Sequence, residues 1–325
     1  MISRVAEHCC WLSRYLERAE NTARILEVNH TLLLDYDVPH DLQWRPLLII
    51  SGIYDMPAAA EAETVQQYMT WEIKNGSSIA TSIGAARENG RIIREVISAE
   101  MWERLNYYHL WLQSPTTKAL YDGNRNEFYS QVRRINQLVH GIADGTMLHG
   151  EPWEFFQLGK YLERASQTAR ILDVKYHILL PKTDAIGTPI DNAQWVAILT
   201  SCSGYEPFHK KVRFQADTGV EVADFLIFDP QFPRSITFCL EACLKAAYAI
   251  SGRARGQAGN DVERLLSELA DWLGGMSVSE VIRIGLHQVL TKVVNNIHEI
   301  GEAIHRTYFD VRVEPPPLKA RLVEA

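Results

Sequence analysis

The word YLERAENTARIL occupies residues 15–26, and YLERASQTARIL occupies residues 161–172. A helix written twice, 146 positions apart, confines the chain to folds that use one helical unit two times. Other segments repeat in the same order. QWRPLLIISGIY (43–54) resembles QWVAILTSCSGY (194–205), and MTWEIKNGSSI (69–79) parallels LIFDPQFPRSI (226–236). WERLNYYHLWL (102–112) resembles VERLLSELADWL (262–273), and His140 and Asp144 match His298 and Glu302. The spacing between matched positions drifts only between 146 and 160, as small loop insertions would produce. The expectation is a tandem duplication, with one unit over residues 1–150 and a second over 151–310, packed about a pseudo-twofold axis. The remaining segment, VRVEPPPLKARLVEA (311–325), has no periodicity and reads as an extended tail.

Helical periodicity dominates both units. Leu12, Tyr15, Leu16, Ala19, Ala23 and Leu26 form one apolar stripe, and Ile79, Ile83, Ala86, Gly90, Ile93 and Ile97 form another. Asn75-Gly76 followed by Ser77-Ser78 predicts a turn with an N-cap, and Pro233 and Ser235 open the equivalent helix. Long helices are expected over 126–148, 152–180, 257–273 and 278–307, and KVRFQADTGVEVADFLIF is the one ambiguous segment. The fold class is therefore all-α: two homologous antiparallel bundles.

The chain has 325 residues and a formal charge of −7, which disfavours a broad nucleic-acid footprint. Cys9, Cys10, Cys202, Cys239 and Cys243 are odd in number and contain no CxxC pair, which suggests reduced thiols and a cytoplasmic setting. No signal-peptide pattern opens the sequence, and no stretch is long and apolar enough to span a membrane. The eight tryptophans sit in helical apolar settings and read as core or as the face between units.

Within the repeated helix, the stripe accounts for most identities. Glu17 and Arg24 lie together at one flank of it, with Arg18 and Thr22 on the other side; their counterparts are Glu163, Arg170, Arg164 and Thr168. Glu20/Ser166, Asn21/Gln167 and Glu27/Asp173 differ between the words, as a solvated face would. One reading makes Glu17 and Arg24 interhelical ion pairs at the edge of a core, and another makes them a polar site. A second feature breaks the symmetry. AARENGRIIRE stacks Arg87, Arg91 and Arg94 on one helix face, whereas the matching positions are Leu244, Tyr248 and Ser251. Like charges so placed repel by a few tenths of a kcal/mol per pair, so acidic groups should face them: Glu17 and Glu20, a ligand, or a partner.

WLSRYLERAENTARIL, NGSSI, AARENGRIIRE and SAEMWERLN, taken together, resemble the bacterial alpha-E family, an α-helical family named for its Glu-Arg motif. The resemblance covers essentially the whole chain. It rests on Glu17, Arg18, Arg24, Ser77, Ser78, Arg87, Asn89, Arg91, Arg94, Glu100, Trp102 and Glu103. Gly76 stands where family members often carry proline, and His8 where asparagine is usual. The resemblance implies an association with circularly permuted ATP-grasp amidoligases and transglutaminase-like peptidases, in the synthesis or trimming of a peptide. It implies partners and no particular reaction.

No P-loop, GxGxxG, GxSxG, HExxH or CxxC occurs. Two Glu-x-x-His words, Glu27/His30 and Glu302/His305, have the spacing of di-iron bundles, and His298 lies one turn before Glu302. The face carrying His298, Glu302 and His305 points away from the apolar side of its helix, so a solvated pair explains these residues without a metal. His140/Asp144 and His298/Glu302 read as helix-stabilising i, i+4 pairs. The sequence therefore gives a non-catalytic accessory or scaffold subunit with no cofactor and no nucleic-acid or membrane partner. A peptide would lie between Glu17/Arg24 and Arg87/Asn89/Arg91/Arg94. The alternatives are a pathway ligase or transferase holding an anionic substrate on the arginine stripe, and a di-iron protein.

Overall fold

The computed structural model describes residues 3–35, 44–53, 61–179, 189–211, 218–257 and 259–310, and every regular element among them is helical. In chain order these are α1 (Ser3–Asp35), α2 (Arg45–Ile50), α3 (Ala62–Thr70), α4 (Ile79–Ile92), α5 (Ala99–Leu112), α6 (Pro115–Gly123) and α7 (Arg125–Thr146). They are followed by α8 (Glu151–Leu179), α9 (Pro189–Ser201), α10 (Tyr205–Lys211), α11 (Thr218–Phe228), α12 (Ile236–Ser251), α13 (Asp261–Gly274), α14 (Val278–Ile284) and α15 (Leu286–Ile304). A π turn over His305–Phe309 widens the end of α15. The two copies of the repeated word lie in α1 and α8.

Those two helices form the axis of the molecule, and their mutual contact is the most extensive among the described elements. Beyond α8, α1 packs on α4, α7 and α9; beyond α1, α8 packs on α12, α15 and α2. Both long helices are thus covered on several sides, so polar as well as apolar positions on them are enclosed. Leu12, Leu16, Ala19, Ala23 and Leu26 are buried as the stripe requires, as are Ile79, Ile83, Ala86, Gly90, Ile93 and Ile97. The crossing is close because Gly159 of α8 has no side chain: a Cβ there would stand 2.2 Å from the Cys10 carbonyl oxygen.

The helix starts follow local chemistry. The Asn75 side chain accepts a hydrogen bond from the Ser77 amide at 3.0 Å, and Ser78 caps α4 by accepting from the Thr81 amide at 3.1 Å. Ser235 caps α12 in the same way, accepting from the Phe238 amide at 3.0 Å. The single helix expected over 278–307 is two helices, because Gly285 adopts a φ of +114° that ends α14. Asn260 caps α13, so that helix starts later than the periodicity predicts. Of the ambiguous segment, 218–228 is helix α11, whereas 212–217 and the tail 311–325 lie outside the described residues. All five cysteines are free and buried; burial pushes the Cys239 thiol up to about 12, which keeps it protonated and inert. No described helix is long and apolar enough to cross a membrane.

Candidate functional site

A helix enclosed on several sides must pair the charges it buries, since an isolated buried ion is strongly disfavoured. On α1, Glu17, Glu20, Asn21 and Arg24 are all buried, with Glu17 at 0% exposure and Arg24 at 1%. This removes them from the flank and solvated face where the helical wheel places them. Glu17 pairs with Arg164 of α8: Nε donates to Oε2 at 3.1 Å and Nη2 donates to Oε1. Reciprocally, Glu163 of α8 pairs with Arg18 of α1, which donates from Nε at 2.8 Å and Nη2 at 3.0 Å. The Glu-Arg dipeptide of each copy is thus bonded bidentately to the Glu-Arg dipeptide of the other, in the fork geometry that guanidinium and carboxylate share. Arg14 adds a third donor to Glu163 at 3.0 Å.

The surroundings of the two acids differ. Beside Glu17 lies a second ion-pair layer: Arg234 donates to Glu20 at 2.9 Å and to Asn21 at 3.1 Å, and Arg24 donates to Glu20. Burial alone would raise the Glu17 carboxyl, but the Arg164 and Arg234 guanidiniums outweigh it and hold it far below the usual carboxylate range. Burial likewise opposes ionisation of Glu163, and Arg18 and Arg14 bring it down to about 2. Arg234 is lowered to about 10 by burial and by its like-charged neighbours Arg24 and Arg164, so the layer is richer in cations than in anions. Arg24 Nε and Nη1 have no acceptor.

His140 of α7 sits in the same layer, its Nε2 3.6 Å from Glu17, while Asp144 is exposed; it does not form the i, i+4 pair that the spacing predicts. Burial lowers its pKa to about 4, so the ring is neutral at pH 7 and its approach to Glu17 is not an ion pair. A depressed folded pKa contributes stability that is present above the ordinary value of 6.5 and is lost as pH falls toward 4. Stability is therefore expected to decline across that window by about 3 kcal/mol through this residue. Urea titrations of the His140→Leu protein should show most of this slope removed. An unchanged slope would place the titration elsewhere, on His30 or His109, which burial also lowers.

Among the described residues, Glu17, Glu20 and His140 are the one group of three metal-type ligands whose donor atoms approach within 4.8 Å. The donor set fits a metal poorly, since both carboxylates already accept from guanidiniums and three arginines would repel a dication. Of the spacing-based metal candidates, Glu27 pairs with Arg133 at 2.8 Å, and His30 is half-buried on the same helix. His298, Glu302 and His305 are exposed at the rim of a different cavity, with His298 3.5 Å from Glu302.

The arginine stripe does not face Glu17 and Glu20. Arg87 and Arg91 pair with Glu88 of their own helix, the latter at 2.8 Å, while Arg87 and Arg94 lie over the Trp102 ring at 5.5 and 5.1 Å. Asn89 accepts from His8 at 2.7 Å, tying α4 to α1. The groove expected between Glu17/Arg24 and the stripe is not formed, because the first pair is internal and the second is on the outside.

What opens instead is a cavity of about 380 Å³ on the Glu163 side of the clamp, between α1, α8, α2 and α15. Arg14, Arg18, Arg170, Thr22, Ser77 and Ser166 line it. Sequence reasoning selected Arg18 and Arg170 but missed Arg14, Ser166 and the opposing Arg234. The signal for Arg234 was its standing where the parallel segment 69–79 has Ser77.

These features agree with the comparisons. A family model described as "a predicted alpha-helical domain with a conserved ER motif" matches residues 1–309. An uncharacterized protein of Mycobacterium bovis and uncharacterized proteins from two strains of Mycobacterium tuberculosis are each 23% identical to the chain over 325 residues. The match covers 91% of this chain and 35% of each relative, so the chain spans about a third of their length. No solved structure matches. With the Glu-Arg dipeptides found at the centre of the molecule and the family model covering nearly all of it, the chain belongs to the Alpha-E family.

Proposed function

We propose that this Alpha-E chain is a non-catalytic helical scaffold. It holds an anionic segment of a peptide for a circularly permuted ATP-grasp amidoligase and a transglutaminase-like peptidase, in a cytoplasmic peptide-forming or peptide-modifying system. The observation that carries the reading is the division of labour around the motif. Both Glu-Arg dipeptides are consumed by the clamp, Arg14 adds a further donor to Glu163, and Arg170 is the cation left over at the cavity that these groups line. Such a cavity favours an anion and contributes orientation. The reading includes two homologous units, 1–150 and 151–310, about a pseudo-twofold axis; the reciprocal pairing of Glu17 with Arg164 and Glu163 with Arg18 supports it. The partners rest on the family resemblance.

Co-expression with the two enzymes tests this. Both are expected to co-purify with the chain, and Arg170→Glu should weaken capture of an acidic acceptor peptide at least tenfold without lowering Tm, because among the described residues Arg170 bonds only to Ser166. A monodisperse chain that captures neither enzyme overturns the proposal.

A further inference from the structure

The two sides of the clamp are built from the same sequence positions, and one of them lacks a carboxylate. On the Glu17 side, Glu20 lies one turn before Arg24 and accepts from both Arg24 and Arg234. The counterparts of Glu20, Arg24 and Arg234 on the Glu163 side are Ser166, Arg170 and Ser77. Ser166 and Ser77 are short hydroxyl side chains that line the 380 Å³ cavity, so the volume filled by an acid and a guanidinium on one side is open on the other. Thr168 and Thr22 keep the frame equivalent: Thr168 donates to the Arg234 carbonyl at 2.8 Å and Thr22 to the Ser77 carbonyl at 3.5 Å. Arg170 occupies the place of Arg24 without its acid, donating from Nε to Ser166 at 3.4 Å.

We infer that the cavity binds a carboxylate supplied from outside, held by Arg170 and the Ser166 and Ser77 hydroxyls where Glu20 stands on the opposite side. This names the ligand group for the scaffold reading above and rests on it. The class is a carboxylate, not a phosphate, for two reasons. The internal group it replaces is a glutamate side chain, and Arg14 and Arg18 are already bonded to Glu163, which leaves one guanidinium for a single negative charge. Glu302 at the rim lies 3.5–3.6 Å from His298 and Arg306 and so opposes the ligand only weakly. The carboxylate comes either from a glutamate side chain within a peptide or from a peptide C-terminus.

Calorimetry on the full chain separates these sources. The probes are N-acetyl-glutamate amide, its glutamine analogue, N-acetyl-alanyl-alanine as free acid, and N-acetyl-phosphoserine amide. The glutamate probe or the free-acid dipeptide is expected to bind at least tenfold more tightly than the glutamine and phosphoserine probes, and whichever wins identifies the source. Ser166→Glu restores the internal acid beside Arg170. That variant should fold with an unchanged or higher Tm and lose at least tenfold in carboxylate affinity. Equal binding of glutamate and glutamine probes, tighter phosphoserine binding, or full affinity in Ser166→Glu overturns the inference. Capture of the two enzymes by the Ser166→Glu chain is scored separately. Partners captured with no carboxylate selectivity sinks only this inference, whereas carboxylate binding with no partner captured sinks only the scaffold reading.

Discussion

Replacing Glu17 with alanine is expected to destabilise the protein by about 3–5 kcal/mol, the range for breaking a buried ion pair from one side. The loss is large because Glu17 is fully buried and is the acceptor for Arg164, with Arg234 3.6 Å away. Removing it leaves Arg164, over the Tyr161 ring, with the Pro233 carbonyl at 3.2 Å as its one hydrogen-bond acceptor among the described residues, and concentrates the surplus of cations around Arg234 and Arg24. Lys160, whose pKa is already lowered by burial and by Arg164, would lose an opposing charge as well. Denaturant unfolding of three proteins gives the check: Glu17→Ala, Arg164→Met, and the double variant Glu17→Leu/Arg164→Met. The double variant should recover much of the loss, since an apolar pair of similar volume often replaces a buried ion pair at little cost. A loss below about 1 kcal/mol for Glu17→Ala would mean that water reaches the clamp.

Gly159→Ala is the second change with a large expected effect, and its sign opposes helix propensity. Alanine in a helix interior is worth about 0.8–1 kcal/mol over glycine. Here the new methyl group would meet the Cys10 carbonyl oxygen at 2.2 Å and the Ser13 hydroxyl at 2.6 Å. Backbone cannot rotate away as a side chain does, so α1 and α8 must separate. The clamp lies one turn further along both helices, and its bonds would lengthen with the crossing. A net loss of about 2–3 kcal/mol is expected, toward the upper end of the overpacking range. Gly141→Ala on α7 meets nothing within 4 Å and should be neutral or slightly stabilising, which makes it the control for thermal melts. Stabilisation by Gly159→Ala would contradict the close crossing.

The periodicity of α1 and α4 was legible because an apolar stripe needs only one neighbour to explain it, and every stripe position of α4 is buried. The fate of Glu17, Glu20 and Arg24 was not legible. A helical wheel ranks the faces of one helix but does not say how many neighbours surround it, and α1 is packed by α8, α4, α7 and α9. Divergence of Glu20 from Ser166 reads as a solvated face for the same reason. It accompanies instead a second difference between the parallel segments, Arg234 against Ser77, and the two differences meet in space. The arginine stripe misleads in the opposite direction: its acidic partner, Glu88, is adjacent in sequence to Arg87 and needs no other helix.

The reciprocal pairs join residues 145 and 147 positions apart. During synthesis at about 5–20 residues per second, α1 therefore leaves the ribosome roughly 7–30 s before the helix that completes it. Within that interval α4 (Ile79–Ile92) emerges about midway and α7 (Arg125–Thr146) only at the end, so Leu12, Leu16, Ala19 and Ala23 wait for every partner. The face meant for α8 is bare last of all, and Glu17 and Arg18 hold water instead of each other's counterparts. The nascent chain is a half-built axle waiting for its second half, and its exposure to chaperones and proteases is set by that delay.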